Sequence, residues 1–182
     1  MTKIIVSIKN EPASKAKLFQ IILLVLSFLV FAPVQAQNKP SKKDRQMQEY
    51  MMMVNLISSR KFVYRALRAY PRSNNPQILS SDYEVSFNDS IVTGYLPFVG
   101  KAYRNADLSG GAIEFSDVCH NFVFEKDDVK MVVRCSFVVE SKDHDQLIIS
   151  LRASGSSYAT LSVNSNNREP ISYRGDFAPL KK

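Results

Sequence analysis

The stretch YEVSFNDSIVTGYLPF, residues 83–98, decides the fold class, because two alternating runs flank a polar pair. Residues 83–87 alternate apolar and polar before Asn88-Asp89, and Ile91, Thr93 and Tyr95 are strand-favouring residues spaced by two after it. A period of two is typical of a half-buried β-strand, and a polar dipeptide between two such runs is typical of a hairpin turn. We therefore expect a two-residue turn at Asn88-Asp89 within an antiparallel sheet.

The same period continues through most of the chain after Phe62, with β-branched and aromatic residues in the runs and turn residues between them. The predicted strands are 62–69, 82–87, 91–98, 112–115, 120–124, 129–139, 147–153, 158–164 and 171–174. An open meander of this length would expose one apolar face and two edges. We therefore predict a mainly β (α+β) fold, either an antiparallel barrel or a two-sheet sandwich, with about eight strands and one N-terminal helix.

That helix is predicted over residues 43–60, directly ahead of the first strand. Ser41 and Asp44 have the spacing of a capping box, with Asp in place of the more frequent Glu. Apolar residues then recur at helical spacing, at Met47, Tyr50, Met51, Val54 and Ile57. We expect this apolar stripe to pack against the β structure.

An apolar run at residues 18–32 follows Lys15 and Lys17 and is too short for a spanning helix, which needs about 20 apolar residues. Val34-Gln35-Ala36 has the residue sizes that a signal peptidase reads. We therefore expect residues 1–36 to be a cleaved signal peptide, 37–42 a flexible tail, and 43–180 a single β-rich domain. The product would be periplasmic or extracellular, and it would not be membrane-anchored after cleavage.

The chain has 24 Lys and Arg against 17 Asp and Glu, a formal net charge of +7, and part of this excess lies in the leader. No aromatic and basic RNA-reading motif accompanies the charge, which argues against a nucleic-acid partner. The expected partner is an envelope or extracellular ligand, whether glycan, lipid or protein. A basic strip, which suits either an anionic surface or plain solvation, is formed by Arg60, Lys61, Arg65, Arg68 and Arg72.

Cys119 and Cys135 flank a predicted hairpin in a chain expected to reach an oxidising compartment. If residues 126–128 form the loop, Glu125 faces Val129, and equal steps back place Cys119 opposite Cys135. A disulfide between the two is then one alternative. Two partly buried thiols are the other, because a one-residue change of register would move the cysteines to opposite faces.

The residue types that carry catalysis are sparse. His120 and His144 are the only histidines, and neither has a metal-ligand spacing. Cys119 and His120 are adjacent, and neighbours on a strand point to opposite faces, which argues against a nucleophile and its base. We therefore expect no cofactor, metal or catalytic residue and favour a non-enzymatic binding module. An unrecognised hydrolase-type enzyme and an envelope structural or assembly factor are the alternatives.

An ordered series of segments resembles a known family. YLPFVGKAY at 95–103, SGGAIEF at 109–115 and SNNREPISYRG at 165–175 are similar to the domain of unknown function 4251 family, which is found mainly in Bacteroidetes. SRKF at 59–62 and SSDYEV at 80–85 extend the likeness. The resemblance implies a small exported protein and brings no activity, substrate or site residue.

The connection 99–111 is the candidate binding surface, since glycines bound it and loops on rigid β scaffolds often carry recognition. The predicted binding residues are Lys101, Tyr103 and Arg104 on this connection, together with Tyr95 on the strand before it. The alternative role for the tyrosines is to seal one end of the core.

Overall fold

The structure, a computed structural model, describes residues 41–80, 82–103, 111–154 and 158–180. These ranges contain the helix α1 (Lys42–Ser58) and ten strands, which are β1 (Lys61–Pro71), β2 (Gln77–Ile78), β3 (Glu84–Asn88), β4 (Ile91–Phe98), β5 (Gly111–Val118), β6 (His120–Asp127), β7 (Val132–Glu140), β8 (Gln146–Ser154), β9 (Tyr158–Asn164) and β10 (Ile171–Pro179). The predicted mainly β fold with one N-terminal helix is confirmed. The predicted signal peptide, residues 1–36, lies outside the described residues.

All ten strands belong to one antiparallel sheet in the order β5-β4-β3-β1-β10-β9-β8-β7-β6, with the short β2 beside β1. The sheet curls around its apolar face and forms a half-barrel. The described strands therefore form a single curled sheet, which corresponds to the barrel alternative of the prediction and not to a two-sheet sandwich.

The two strands at the ends of the sheet order, β5 and β6, are halves of one bent segment with only Cys119 between them. At the bend Asn121 has a positive φ of 53°, and the register between β6 and β7 shifts, as in a bulge that bends a strand. Further along, the amide of Lys142 in the β7–β8 turn donates to the carbonyl of Glu114 on β5 over 2.8 Å. The bent segment therefore connects both ends of the half-barrel.

The concave face of the sheet is the core. The ring of Phe62 stacks on that of Phe87 with 4.2 Å between centroids, and Phe137 meets Phe87 edge-on at 5.0 Å. All three are buried, and each contributes about 1.5–3 kcal/mol through the apolar area removed from water. The hydroxyl of Tyr64 donates to the carbonyl of Tyr173 over 2.8 Å, so this deep polar group is satisfied.

The helix begins as predicted and packs differently from the prediction. Ser41 and Asp44 exchange both hydrogen bonds of the capping box. The buried stripe is Tyr50, Met53 and Ile57. Met47 and Met51, which were predicted to pack, are 40% and 49% exposed, because three successive methionines fit more than one helical stripe. In the described ranges no helix combines the length and the apolar composition needed to cross a bilayer.

The helix ends at Ser58, two residues before the prediction, because the chain turns sharply into β1. Arg60 takes a positive φ of 53°, and its carbonyl accepts a hydrogen bond from the amide of Asp89 over 2.9 Å. The hydroxyl of Tyr50 donates to Asp128, in the turn between β6 and β7, over 2.6 Å and so connects the helix to that turn. The helix therefore covers one open end of the half-barrel.

The β3–β4 turn lies one residue later than predicted. Asn88 pairs with Ile91, so the two turn residues are Asp89 and Ser90. This register places Phe87 opposite Val92, and both side chains are buried. Asp89 supplies the positive φ, 56°, that a tight hairpin requires.

The β6–β7 turn is also displaced, and it overturns the expected pairing of the cysteines. The turn comprises residues 128–131, in which Lys130 donates its amide to Asp127 over 3.0 Å and Met131 has a positive φ. Because the turn comes later, Phe124 faces Cys135, and the expected position of Cys119 opposite Cys135 is wrong.

Cys119 instead lies at the bend between β5 and β6, half-buried, while Cys135 is buried on β7. Both are free thiols in this structure. Burial first, and then the nearby Cys119, raise the pKa of Cys135 to about 12, so the two groups lie within electrostatic range. The disulfide stays a prediction.

Candidate functional site

The structure separates the residues of the predicted binding surface. Lys101 and Tyr103 are exposed, with Tyr103 at 58%. Tyr95 lies within β4 on the convex face of the sheet, where its ring stacks on Tyr83 with 5.6 Å between centroids. Arg104 lies outside the described residues. Tyr95 therefore belongs to the sheet, and of the predicted binding residues that the structure describes Lys101 and Tyr103 share the connection after β4.

This connection is fixed to the segment between β9 and β10. The amide of Tyr103 donates to the carbonyl of Asn167 over 2.7 Å, and the amide of Glu169 donates to the carbonyl of Lys101 over 2.9 Å. The carboxylate of Glu169 accepts from Ser73 and from the Lys101 amide, and these hydrogen bonds hold its pKa below the usual range. Two of the segments with family resemblance therefore meet in space.

The same segment between β9 and β10 also contributes to a buried ion pair. Arg168 Nε donates to Asp145 Oδ2 over 2.9 Å, and the side chains are 2% and 1% exposed. Asp145 also accepts from Ser165 and Asn167, so its carboxylate is fully engaged. The guanidinium lies 5.2 Å from the ring centroid of Phe98. Because the hydrogen bonds of the Asp145 carboxylate are made within the protein, Asp145 holds the segment between β9 and β10 in place, and we assign it a structural role.

The convex face of the sheet contains a more distinctive arrangement, a row of side chains that crosses five strands in register. Arg134 on β7 faces Arg152 on β8, which faces Thr160 on β9. Thr160 faces Arg174 on β10, which faces Arg68 on β1. We call the four arginines and Thr160 the arginine row. With strands about 4.8 Å apart, the row is about 19 Å long.

Two pairs in this row oppose like charges, Arg134 with Arg152 and Arg68 with Arg174. Like charges directly opposite on adjacent strands are destabilising. Among the described residues no carboxylate lies within 4.0 Å of any of the four arginines. Glu125 faces Arg134 from β6 without reaching this distance. The row is therefore a line of positive charge without an ion-pair partner among the described residues, and Glu125 is the one carboxylate directly opposite one of its members.

A second row lies beside the first, two residues along each strand. It consists of small hydroxyl side chains that face one another across four strands, namely Ser136, Ser150, Ser162 and Ser172. The hydroxyls of Ser162 and Ser172 are 3.0 Å apart. Tyr70 on β1 continues this serine row beyond Ser172. Because serine is short, the row forms a low strip next to the long arginine side chains.

The two rows line a series of surface grooves. The groove over β6 to β9, about 410 Å³, is lined by Arg134, Arg152 and three residues of the serine row. The next, about 440 Å³, shares Arg152 with it and adds Arg174 and Tyr158. A third, about 380 Å³, continues from Arg174 and Tyr158 to Arg68. The grooves share their boundary residues and so follow the arginine row from end to end.

A glycine and a bulge bring the last arginine into the row. The register of β1 against β10 shifts between Ala66 and Arg68, which turns Arg68 to the convex face opposite Arg174. At this point the strands approach closely, since a Cβ added to Gly175 would lie 1.8 Å from the carbonyl oxygen of Arg65. Glycine is therefore required at 175 for packing.

The basic strip predicted from the sequence does not form one surface. Lys61 pairs with Asp89, Arg65 pairs with Asp176, and Arg60 lies over an aromatic ring. Of this strip only Arg68 belongs to the arginine row.

Sequence reasoning missed the other three arginines, although a signal was present. Four consecutive strands each contain a polar residue, a buried residue and a second polar residue, in the tripeptides RCS at 134–136, SLR at 150–152, TLS at 160–162 and SYR at 172–174. Because neighbouring strands run in opposite directions, alternating RxS with SxR aligns like residues across the sheet. Reading these tripeptides together would have predicted both rows.

The histidines lie apart from this face. His120 is exposed at the start of β6, and Nδ1 of His144 lies 2.6 Å from Glu140. Within the described ranges no group of three or more His, Cys, Asp and Glu side chains is arranged to hold a metal ion.

Comparison with known proteins gives a family and a fold. The sequence profile described as "Domain of unknown function (DUF4251)" matches residues 44–177. The chain is similar to the crystal structure of a DUF4251 family protein from Bacteroides eggerthii, with a TM-score of 0.57 and 19% identity, covering 74% of this chain and 87% of that chain. At this identity the likeness shows the fold alone. No curated protein matches the chain.

Proposed function

Since the chain belongs to the DUF4251 family, whose name assigns no activity, we propose its function from the convex face: it is an exported, non-enzymatic binding domain that captures an anionic ligand. The observation that carries this proposal is the in-register opposition of Arg134 with Arg152 and of Arg68 with Arg174. A fold gains nothing from aligning like charges, so a bound anion is the simplest reason for keeping them aligned.

Export is the second part of the proposal, and the leader supports it. Its apolar run, 18–32, and the small residues before Gln37 are those of a secretion signal. We place the mature protein in the periplasm or outside the cell, in contact with envelope ligands. Expressing the full chain and sequencing the amino terminus of the exported product tests this, with Gln37 expected as the first residue. A product that keeps Met1 and stays in the cytoplasm would contradict export.

Binding is tested with a simple polyanion. Dextran sulfate is titrated into the exported protein by calorimetry, with uncharged dextran as the reference. We expect binding to dextran sulfate alone, and we expect it to weaken as salt rises, because exposed charges are screened. Replacing Arg134, Arg152 and Arg174 with serine should weaken binding about tenfold or more, since each exposed ionic contact contributes up to about 1 kcal/mol.

The matched control removes the same charge elsewhere. Lys61, Lys130 and Lys142 lie off the arginine row, and all three are well exposed. Replacing these three with serine should leave the affinity within about threefold, because only long-range attraction changes. If the two triple variants lose affinity for dextran sulfate equally, the convex face is not the binding surface. The net charge of the protein alone would then explain the binding.

The connection at Lys101 and Tyr103 is a second candidate surface. Its support is that the backbone is fixed by the hydrogen bonds to Asn167 and Glu169 while both side chains stay exposed. If a Tyr103→Ala variant folds normally and no longer binds dextran sulfate, the binding surface is the connection at Lys101 and Tyr103 and not the arginine row.

A further inference from the structure

Deepening the proposed function, on which it rests, we infer that the anionic ligand is a linear acidic polysaccharide that lies across the strands, along the arginine row. The row places positive charge on β7, β8, β10 and β1 over about 19 Å. A single small anion could contact only one or two of these side chains. A ligand that meets all four must be extended and must carry repeated negative charges.

The grooves give the ligand its direction. They follow one another across the strands and share Arg152, Arg174 and Tyr158 as boundary residues. A chain in this path would meet Arg134 at one end and Arg68 at the other. A ligand parallel to the strands would contact one arginine, because each strand contributes a single member to the row.

The serine row argues for sugars over other polyanions. Its four hydroxyls lie about 7 Å from the arginine row, which is two residues along a strand. A hydroxyl both donates and accepts, so this strip matches the hydroxyl groups of a sugar ring whose carboxylate meets an arginine. A polyphosphate can accept hydrogen bonds from these serine hydroxyls, but it has no hydroxyl group that could donate a hydrogen bond to them.

The aromatic side chains beside the grooves fit the same ligand. Tyr158 is 52% exposed and lies beside Arg174, with 5.8 Å between the guanidinium carbon and the ring centroid. Tyr70 lines the same groove at the end of the serine row. An exposed tyrosine offers an apolar face and a hydroxyl at its rim, which suits a sugar ring with one apolar side.

A flat anionic membrane is a poorer match. The charges form a single line along grooves, while a lipid surface would engage a broad patch. Among the described residues, the exposed aliphatic side chains that line these grooves stand only at the two ends of the row, Leu67 and Ile78 at one and Val123 at the other, with none between them to enter a bilayer. The polysaccharide is therefore the occupant to which we commit.

The test uses three probes on the exported protein: polygalacturonate oligomers of increasing length, monomeric galacturonate, and inorganic polyphosphate. Affinity for the oligomers should rise with length until the oligomer spans the row, about 19 Å, and then level off. The monomer should bind at least about a hundredfold more weakly than the long oligomer, because it loses the linked contacts. An affinity independent of length would overturn the inference.

The serine row is tested with Ser150→Val and Ser162→Val together. This variant should lose about tenfold in affinity for polygalacturonate and keep its affinity for polyphosphate, because two neutral hydrogen bonds to sugar hydroxyls are removed. The control is Ser86→Val with Ser116→Val, on strands β3 and β5 away from the row, and it should bind both probes normally.

The outcomes separate this inference from the proposed function. If polyphosphate and polygalacturonate bind equally and the serine variant changes neither, the polysaccharide inference fails while anion capture stands. If no anionic probe binds, both fail. Binding of polygalacturonate that survives loss of Arg134, Arg152 and Arg174 would also overturn the inference.

Discussion

Arg168 Nε and Asp145 Oδ2 are 2.9 Å apart in a pair whose two side chains are almost completely shielded from solvent. The pair connects the β7–β8 turn to the segment between β9 and β10, and the connection after β4 is paired to that segment at Ala102. Three loops at one end of the sheet therefore depend on one buried interaction.

Replacing Arg168 with methionine should destabilise the protein by about 3–5 kcal/mol, because Asp145 would remain buried without its counter-ion. Urea unfolding followed by circular dichroism measures this. Lys61→Met is the control, since the Lys61–Asp89 pair is more than half exposed and should contribute less than about 1 kcal/mol. Equal losses in the two variants would show that the burial of Asp145 is immaterial.

Replacing Arg152 with serine should not destabilise the fold. The change removes the charge opposite Arg134, so we expect unfolding to be unaffected or harder by about 0.2–1 kcal/mol. The same variant should bind dextran sulfate more weakly. A clear loss of stability in urea would mean that Arg152 has a packing role, and its alignment with Arg134 would then be no sign of a binding site.

Replacing Gly175 with alanine should cost about 1–3 kcal/mol, because the new Cβ would overlap the carbonyl oxygen of Arg65. Thermal unfolding measures the loss. Arg174 and Arg68 should also move apart, which predicts weaker anion binding. An alanine variant with wild-type stability would show that the two strands separate freely at this bulge.

Stability should fall in acid partly through Glu169. Hydrogen bonds from Ser73 and the Lys101 amide lower the folded pKa of this carboxyl, so its contribution is present above the unfolded pKa, about 4.3. It is lost as the pH falls through the lower folded pKa. The difference in unfolding free energy between wild type and Glu169→Gln should therefore shrink below about pH 4. A difference that is constant across this range would contradict the pKa assignment.

The two thiols should react differently if they are reduced. Cys119 is half-buried, while burial raises the pKa of Cys135 to about 12. Iodoacetamide should therefore label Cys119 first and Cys135 only after unfolding, as peptide mass spectrometry would show. Labelling of neither cysteine in the unfolded, unreduced exported protein would instead establish the disulfide.

The sequence predicted strand existence well and pairing less well. Two strands, Ile91–Phe98 and Tyr158–Asn164, have the bounds that alternation predicts, because turn residues flank them closely. The β6–β7 register was wrong because the polar stretch at 125–130 allows several turns. The side chain of Asp127 selects one of them through its contact with the Lys130 amide.

The candidate site was harder to predict, since its residues come from five strands. Aromatic and charged loop residues such as Tyr103 attract attention in a sequence because they stand together. Arg134 and Arg174 stand 40 positions apart and become neighbours in one row only through the order of the sheet. Only a joint reading of the four tripeptides with a correct register could have found them.

The bent segment through Cys119 has a consequence for the integrity of the molecule. In a closed barrel the first and last strands are held by hydrogen bonds, whereas here the two ends of the sheet order are successive parts of one chain. The continuous peptide backbone through Cys119 therefore joins the two ends of the sheet. A single proteolytic cut beside Cys119 would leave every named strand pair intact, and the two ends of the sheet would then be held together by noncovalent contacts of β5 with the end of β7 and the β7–β8 turn, such as that between Lys142 and Glu114.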